Sequence, residues 1–262
     1  MGESFESAGG PSDIKSTFRF APATSPPLRA VTMIYDLEGF SDFFSTPDVQ
    51  DYVPTFLNHV SSAISICIFG GLTYWHRKPD HVGALDLRVV HEKFLGDGSL
   101  YILLPPEGQS NFKETHINWL CNRLWNLRTR FHRVLESILE DVPITTIPRN
   151  IRIGIARGTL YELRSSDQTT TEYIGWCVNL ASRLQRYCPQ LGFIASARIK
   201  MSKADMEKHG YCRVIATKLK GFRGEYVLVD KQEFGELAAE VRDDLFSLVP
   251  HSGSSTSKEL PA

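Results

Sequence analysis

The apolar positions of this chain alternate between short β-branched runs and stripes of helical spacing. Residues 30–35 form an apolar run that predicts a buried strand ending at Asp36, a carboxylate at the rim of a core. Val53, Phe56, Leu57, Val60, Ile64 and Cys67 then recur every three or four positions and stop at Gly70-Gly71, as an amphipathic helix with its C-terminal cap does. Residues 87–90 and 100–104 flank Gly96-Asp97-Gly98, a hairpin signature with Asp97 at the turn. Ile117, Leu120, Leu124, Leu127, Phe131, Val134 and Ile138 predict one second long helix that stops near Pro143. A strand over 151–161, a helix over 178–187, a strand over 193–195, a short helix over 204–208 and a final strand pair around Val214 and 226–229 complete the order. That order predicts an α+β fold, a mostly antiparallel sheet with helices packed on one face.

The ends read differently. Residues 1–28, rich in Gly, Ser, Pro and Ala, predict a flexible N-terminal arm; 29–232 form the folded domain, and 233–262 a C-terminal helix and disordered tail. With 262 residues, 42% of them hydrophobic, the chain can bury one sizeable core. Its formal net charge of -1, from 29 basic and 30 acidic residues, gives no bulk attraction to nucleic acid or anionic membranes. An anionic ligand must therefore be held locally. Cys67, Cys121, Cys177, Cys188 and Cys212 are odd in number and follow no zinc spacing, which predicts reduced thiols. No stretch nears the roughly 20 apolar residues of a membrane helix, and the N-terminus lacks signal-peptide order, so a cytoplasmic location is expected.

Four segments carry polar residues that packing alone does not ask for. The first is Tyr35-Asp36-Leu37-Glu38-Gly39-Phe40-Ser41 and the second Lys93-Phe94-Leu95-Gly96-Asp97. Two carboxylates from neighbouring strand ends can hold a pair of Mg²⁺ or Mn²⁺ ions about 3.5 to 4 Å apart. Alone, an Asp in a Gly-Asp-Gly turn is most often a turn former. The third is Gly175-Trp176-Cys177-Val178-Asn179-Leu180-Ala181-Ser182-Arg183, where Asn179 and Arg183 are four apart on one helix face. The fourth is Leu219-Lys220-Gly221-Phe222-Arg223-Gly224; a solvated basic loop is its plain alternative.

Together, over about residues 31–230, these segments resemble the class III adenylate and guanylate cyclase catalytic domain, a ferredoxin-like fold. They match its D-x-x-G-F-S/T, K-x-x-G-D, G-x-x-V-N-x-A-A/S-R and K-G patterns in order. The resemblance implies that Asp36 and Asp97, helped by the Leu37 carbonyl, hold two Mg²⁺ or Mn²⁺ ions per active site. It implies that Gly39 and Phe40 offer backbone N–H groups to the phosphates, Asn179 positions the ribose, Arg183 stabilises charge on the α-phosphate and Lys220 grips the terminal phosphates. Gly154 to Gly158 is similar to the family's G-I/V-x-x-G strand, but Thr159 stands where an Arg often follows, so Arg157 is the expected substitute. In this family the metal pair and the ribose-arginine pair of one site come from different protomers. One chain carrying both sets implies a head-to-tail homodimer with two shared sites.

Lys93 and Glu172 stand at the family's two base-reading positions. A lysine donor plus a carboxylate acceptor reads adenine, uracil or cytosine equally well. Tyr52, Tyr173 and Trp176 lie near the expected pocket and suit a smaller base, although core packing explains each as readily. The Phe94 to Tyr101 hairpin also resembles those of the stand-alone pyrimidine cyclases of bacterial antiphage (Pycsar) systems. That likeness favours UTP as substrate and cUMP as product, with CTP next and ATP the main rival, and implies a phage-derived activator. A nucleotide-binding pseudo-cyclase without turnover is the alternative from another class. A phosphodiesterase is disfavoured because His ligands are not clustered.

Overall fold

The computed structural model describes residue 20 and residues 26–142, 146–165 and 170–249. Most of the expected arm, the helix stop at Pro143 and residues 250–262 of the expected tail lie outside the described residues. Phe20 forms an isolated antiparallel bridge with Ser165.

The first strand among the described residues is β1 (Leu28–Glu38), which runs on past Asp36 rather than ending at it. A short α1 (Phe40–Phe44), a 3₁₀ turn (Val49–Asp51) and the long α2 (Val53–Phe69) follow. Next come the small hairpin β2 (Gly71–Leu72) and β3 (His81–Val82), then the hairpin β4 (Arg88–Phe94) and β5 (Gly98–Leu104) around Asp97.

The single helix expected over 117–139 is two, α3 (Glu114–Thr129) and α4 (Phe131–Leu139). The break at Arg130 (φ -116°, ψ 19°) has a polar cause. The Thr129 hydroxyl donates to the Asn126 carbonyl at 3.1 Å, competing with the backbone bonds of that turn, and the Arg130 guanidinium folds back onto the Asn126 side chain. The apolar stripe continues through the break, so both helices cover the same core.

β6 (Asn150–Arg164) is the longest strand, and β7 (Thr171–Gly175), absent from the sequence expectation, folds back on its end. Then come α5 (Trp176–Tyr187), β8 (Phe193–Ser196), a 3₁₀ turn, α6 (Lys203–Lys208), β9 (Tyr211–Ala216) and β10 (Glu225–Asp230). The expected C-terminal helix is α7 (Lys231–Glu236) and α8 (Ala239–Leu245), followed by an unforeseen β11 (Phe246–Leu248) that pairs with β9.

Nine of these strands form one sheet in the order β11-β9-β10-β8-β6-β1-β5-β4, with β7 pairing β6, and only β6 and β8 are parallel. The mostly antiparallel α+β expectation holds. Helices on one face does not. Val31, Met33, Tyr35 and Leu37 of β1 face α2, α3 and α4, whereas Ala30 and Ile34 face Cys177, Leu180, Ala181 and Leu184 of α5. Alternate residues of a central strand thus enter two separate cores, which is why β1 reads as a continuous apolar run. Gly154 sets the approach of α5 to β6: a Cβ there would stand 2.2 Å from the Ala181 carbonyl oxygen.

Candidate active site

Asp36 lies opposite Gly98 of β5 on one side and Arg152 of β6 on the other. The β4–β5 turn is drawn onto this end of β1. The Leu37 N–H donates to the Asp97 carbonyl at 3.0 Å, and Gly98 packs so tightly that a Cβ would sit 1.9 Å from the Tyr35 carbonyl oxygen. The two expected carboxylates are therefore neighbours. Leu37 keeps its side chain in the α2 core, leaving only its backbone to the site. Gly39 adopts φ +83°, the left-handed turn that takes the chain from β1 into α1 at Phe40.

The residue that sequence reasoning missed is Arg152. Its guanidinium forms a two-pronged ion pair with Asp36, Nε to Oδ1 at 2.9 Å and Nη2 to Oδ2 at 2.8 Å. Hydrogen bonding to Asp36 raises the Arg152 pKa against the opposing cost of burial, and the charges of Asp36, Glu38 and Asp97 add to the rise. The signal for it was its register opposite Asp36, which only strand pairing reveals.

A second group gathers on the α5 side of the sheet. Lys93 of β4 donates to Glu172 of β7 at 3.0 Å, so the two expected base-reading side chains meet. Beside them the His91 ring stands edge-on to Tyr173, centroids 5.4 Å apart. Asn179 is exposed and Arg183 half-buried on the outer face of α5, opposite the buried Cys177, Leu180, Ala181 and Leu184. The loop carrying Lys220 is held there by buried Leu219, whose carbonyl accepts from the Phe222 N–H at 2.9 Å. Gly221, at φ +79°, passes so close to Arg183 that a Cβ would stand 2.8 Å from its Nη1. Arg183 and the exposed Lys220 loop are thus adjacent.

Two expected site residues stand elsewhere. Arg157 shares the sheet face of Ile153 and Ile155, away from α5, with its guanidinium 5.4 Å above the Phe112 ring. Burial lowers its pKa, Glu114 opposes that change, and the nearby charge of Arg29 adds to it. It pairs with Val31, five residues before Asp36, or about 17 Å along the strand. Alternation along β6 therefore turns Arg157 away from α5 and from Asp36. Tyr52 precedes α2 and packs on the α2–α4 core, apart from Lys93 and Glu172 of the same chain.

Among the described residues no cluster of three or more His, Cys, Asp or Glu side chains could hold a metal. Two adjacent carboxylates still suit Mg²⁺ or Mn²⁺, which keep several waters and share substrate phosphates, so Asp36, Asp97 and the Leu37 carbonyl fit such ions. Arg152 already bonds both oxygens of Asp36, so a cation entering there shares their remaining lone pairs or displaces it.

No family model and no curated protein matches the chain. Solved structures do. The adenylyl cyclase CyaB from P. aeruginosa is similar at 18% identity and a TM-score of 0.54, over 78% of this chain and 94% of that one. A guanylyl cyclase is similar at 18% identity and 0.51, over 78% and 92%. A bacterial light-regulated adenylyl cyclase is similar at 16% identity and 0.52, over 79% and 92%. On this likeness the chain has the fold of the class III cyclase domain.

Proposed function

We propose that this chain is a nucleotidyl cyclase that closes a nucleoside triphosphate to its 3′,5′-cyclic monophosphate and releases pyrophosphate. The observation that carries the reading is the division of its polar residues, within a fold shared with adenylyl and guanylyl cyclases, into two complementary groups. Asp36 and Asp97 form one, and Lys93, Glu172, Asn179, Arg183 and Lys220 the other. Among the described residues no hydrogen bond or ion pair joins the two. A second copy of the chain, head to tail, supplies each group with its counterpart, giving two shared sites.

In the proposed reaction the ribose 3′ hydroxyl gives its proton to water and its oxygen attacks the α-phosphorus in line, while the bond from the α-phosphorus to the α–β bridging oxygen breaks and that oxygen leaves with pyrophosphate. Two Mg²⁺ or Mn²⁺ ions, when bound at Asp36, Asp97 and the Leu37 carbonyl, supply positive charge to the developing alkoxide and the triphosphate. Asn179 orients the ribose. Arg183 meets the negative charge building at the α-phosphate, and Lys220 meets the terminal phosphates. Gly39 and Phe40 turn the backbone at the same strand end. Arg152, beside those carboxylates, offers a further cation to the phosphates once Asp36 is released.

For the base, we favour uracil. Lys93 and Glu172 form a donor and acceptor pair at 3.0 Å, and Tyr173 and Trp176 occupy volume on the same side of the sheet. CTP is next and ATP the main rival. The hairpin likeness to the pyrimidine cyclases supports a role in antiphage signalling, with an activator from the phage. One observation favours a second reading, a domain that binds nucleotide without turnover: the Arg152 clamp engages both oxygens of Asp36, so a metal must share or displace it.

The test is to incubate the purified protein with ATP, GTP, CTP and UTP in separate Mn²⁺ reactions and identify any cyclic product. The expected result is cUMP, abolished by Asp36→Ala. Dominant cAMP overturns the pyrimidine assignment alone. Nucleotide bound with no product from any of the four replaces the cyclase reading by the second.

A further inference from the structure

Arg183 is a long cation on the outer face of α5, and among the described residues it makes no ion pair and no hydrogen bond. A flexible arginine in that position has many rotamers to lose, so something must hold it if it is to act reproducibly. What lies under it is an aromatic ring. Its Cζ stands 5.2 Å from the centroid of Phe222, in the Lys220 loop.

The ring is itself held in a series. Phe222 meets Trp176 edge-on, centroids 5.4 Å apart at 70°. Trp176 rests on β6, where a Cβ at Gly158 would stand 3.1 Å from its Cε3. The Arg198 guanidinium lies 4.2 Å from the Trp176 ring centroid. Arg198 is anchored in turn by Glu225, Nε to Oε1 at 3.0 Å and Nη2 to Oε2 at 3.3 Å. Glu225 is buried and also accepts from the Ser196 hydroxyl at 2.8 Å. The run from Glu225 through Arg198, Trp176 and Phe222 to Arg183 thus begins at a fixed, buried carboxylate.

The choice of a ring has a chemical consequence. A carboxylate partner, like Asp36 under Arg152, takes two guanidinium N–H groups and offsets the charge. A ring face attracts the cation through its quadrupole and leaves the N–H edge free for an anion. We propose that Phe222, backed by Trp176 and Arg198, is a positioning residue that holds Arg183 with its charge and donors available to the phosphate. The proposal rests on the cyclase reading for the identity of that phosphate and on geometry alone for the hold.

Two variants separate ring from bulk: Phe222→Leu keeps apolar volume, and Phe222→Tyr keeps the ring. In Phe222→Leu, kcat falls about tenfold while KM for the triphosphate stays within about threefold, because an interaction that stabilises charge in the transition state is lost. Phe222→Tyr recovers kcat to within about threefold. In an Arg183→Ala background, Phe222→Leu changes the residual rate no further. Independently of turnover, the Arg183 Nε–H resonance of the full-length protein, assigned by its loss in Arg183→Lys, carries a ring-current shift. That shift disappears in Phe222→Leu and persists in Phe222→Tyr. Equal losses in both variants, additive losses with Arg183→Ala, or a resonance unmoved by Phe222→Leu overturn the proposal. If the wild-type protein makes no product from any triphosphate, the cyclase reading fails and the resonance alone decides whether Phe222 holds Arg183.

Discussion

Arg152 and Asp36 face each other across paired strands and are joined by two hydrogen bonds of 2.9 and 2.8 Å, so the carboxylate proposed to bind metal begins from an ion pair. Their side chains are only 22% and 17% exposed, so solvent screens the attraction less than at an open surface. Arg152→Gln removes the charge and keeps donors. It is expected to tighten Mn²⁺ binding without nucleotide by about three- to tenfold, roughly the effect of losing one charge-assisted pair. Free Mn²⁺ measured by electron paramagnetic resonance reads this directly, with Asp36→Asn as the control that binds poorly in either background. Equal affinities in wild type and Arg152→Gln show that the clamp does not compete.

The Lys93–Glu172 pair should matter to recognition and not to stability. With side chains 50% and 26% exposed, it is worth at most about 1 kcal/mol to the fold. Glu172→Ala is expected to leave Tm within about 2 °C of wild type while raising KM for the preferred triphosphate at least about tenfold, because the base loses an acceptor. A large fall in Tm with KM unchanged makes the pair structural.

The sequence displayed these site residues unevenly, and the reasons are geometric. Asp36, Asp97, Asn179 and Arg183 sit in local patterns: the structure has Asp97 at a hairpin turn and Asn179 and Arg183 on a helix, with Asp36 inside β1. Arg152 and Arg157 do not. Ile151, Ile153 and Ile155 alternate with Arg152 and Gly154, which sets Arg152 and Arg157 on opposite faces of β6, but nothing in residues 151–157 says which face meets α5. Gly154 and Gly158 carry that information only once the helix is seen lying on them. The α3–α4 break was hidden for a related reason: the apolar stripe from Leu127 to Phe131 continues in phase while the Asn126 and Thr129 side chains alter the backbone beneath it. β11 escaped notice because three residues after a helix carry no periodicity, although Phe246 is buried against Tyr187 and Phe234.

The five cysteines give a prediction about reactivity. None forms a disulfide, four are buried and Cys212 is partly so. Burial raises every one of these thiol pKa values, with Cys121 pushed up to about 12 and Cys212 to about 11. The thiolate is the nucleophile, so at pH 8 a thiol of pKa about 11 is ionised about one part in a thousand. The native protein is expected to react slowly with an aromatic disulfide reagent at pH 8, Cys212 first, with the rate rising as pH rises. In guanidinium chloride all five should react at once. A fast equivalent in the native state contradicts the packing around Cys212.

The dimeric site makes the sharpest demand. If Asp36 and Asp97 of one protomer serve Asn179 and Arg183 of its partner, then Asp36→Ala and Arg183→Ala chains are each inactive alone yet complementary. After the two are mixed in equal amounts and allowed to exchange, half of the dimers are mixed. Each mixed dimer holds one site with both groups intact and one with neither, so activity should return to about a quarter of the wild-type value per chain. The return must grow with the rate of subunit exchange and be absent when either variant is mixed with itself. A site built within one protomer predicts no recovery at any ratio, because each chain then lacks a group that nothing replaces. Circular dichroism and sedimentation of both variants ensure that a null result comes from the site and not from a chain that fails to fold or pair.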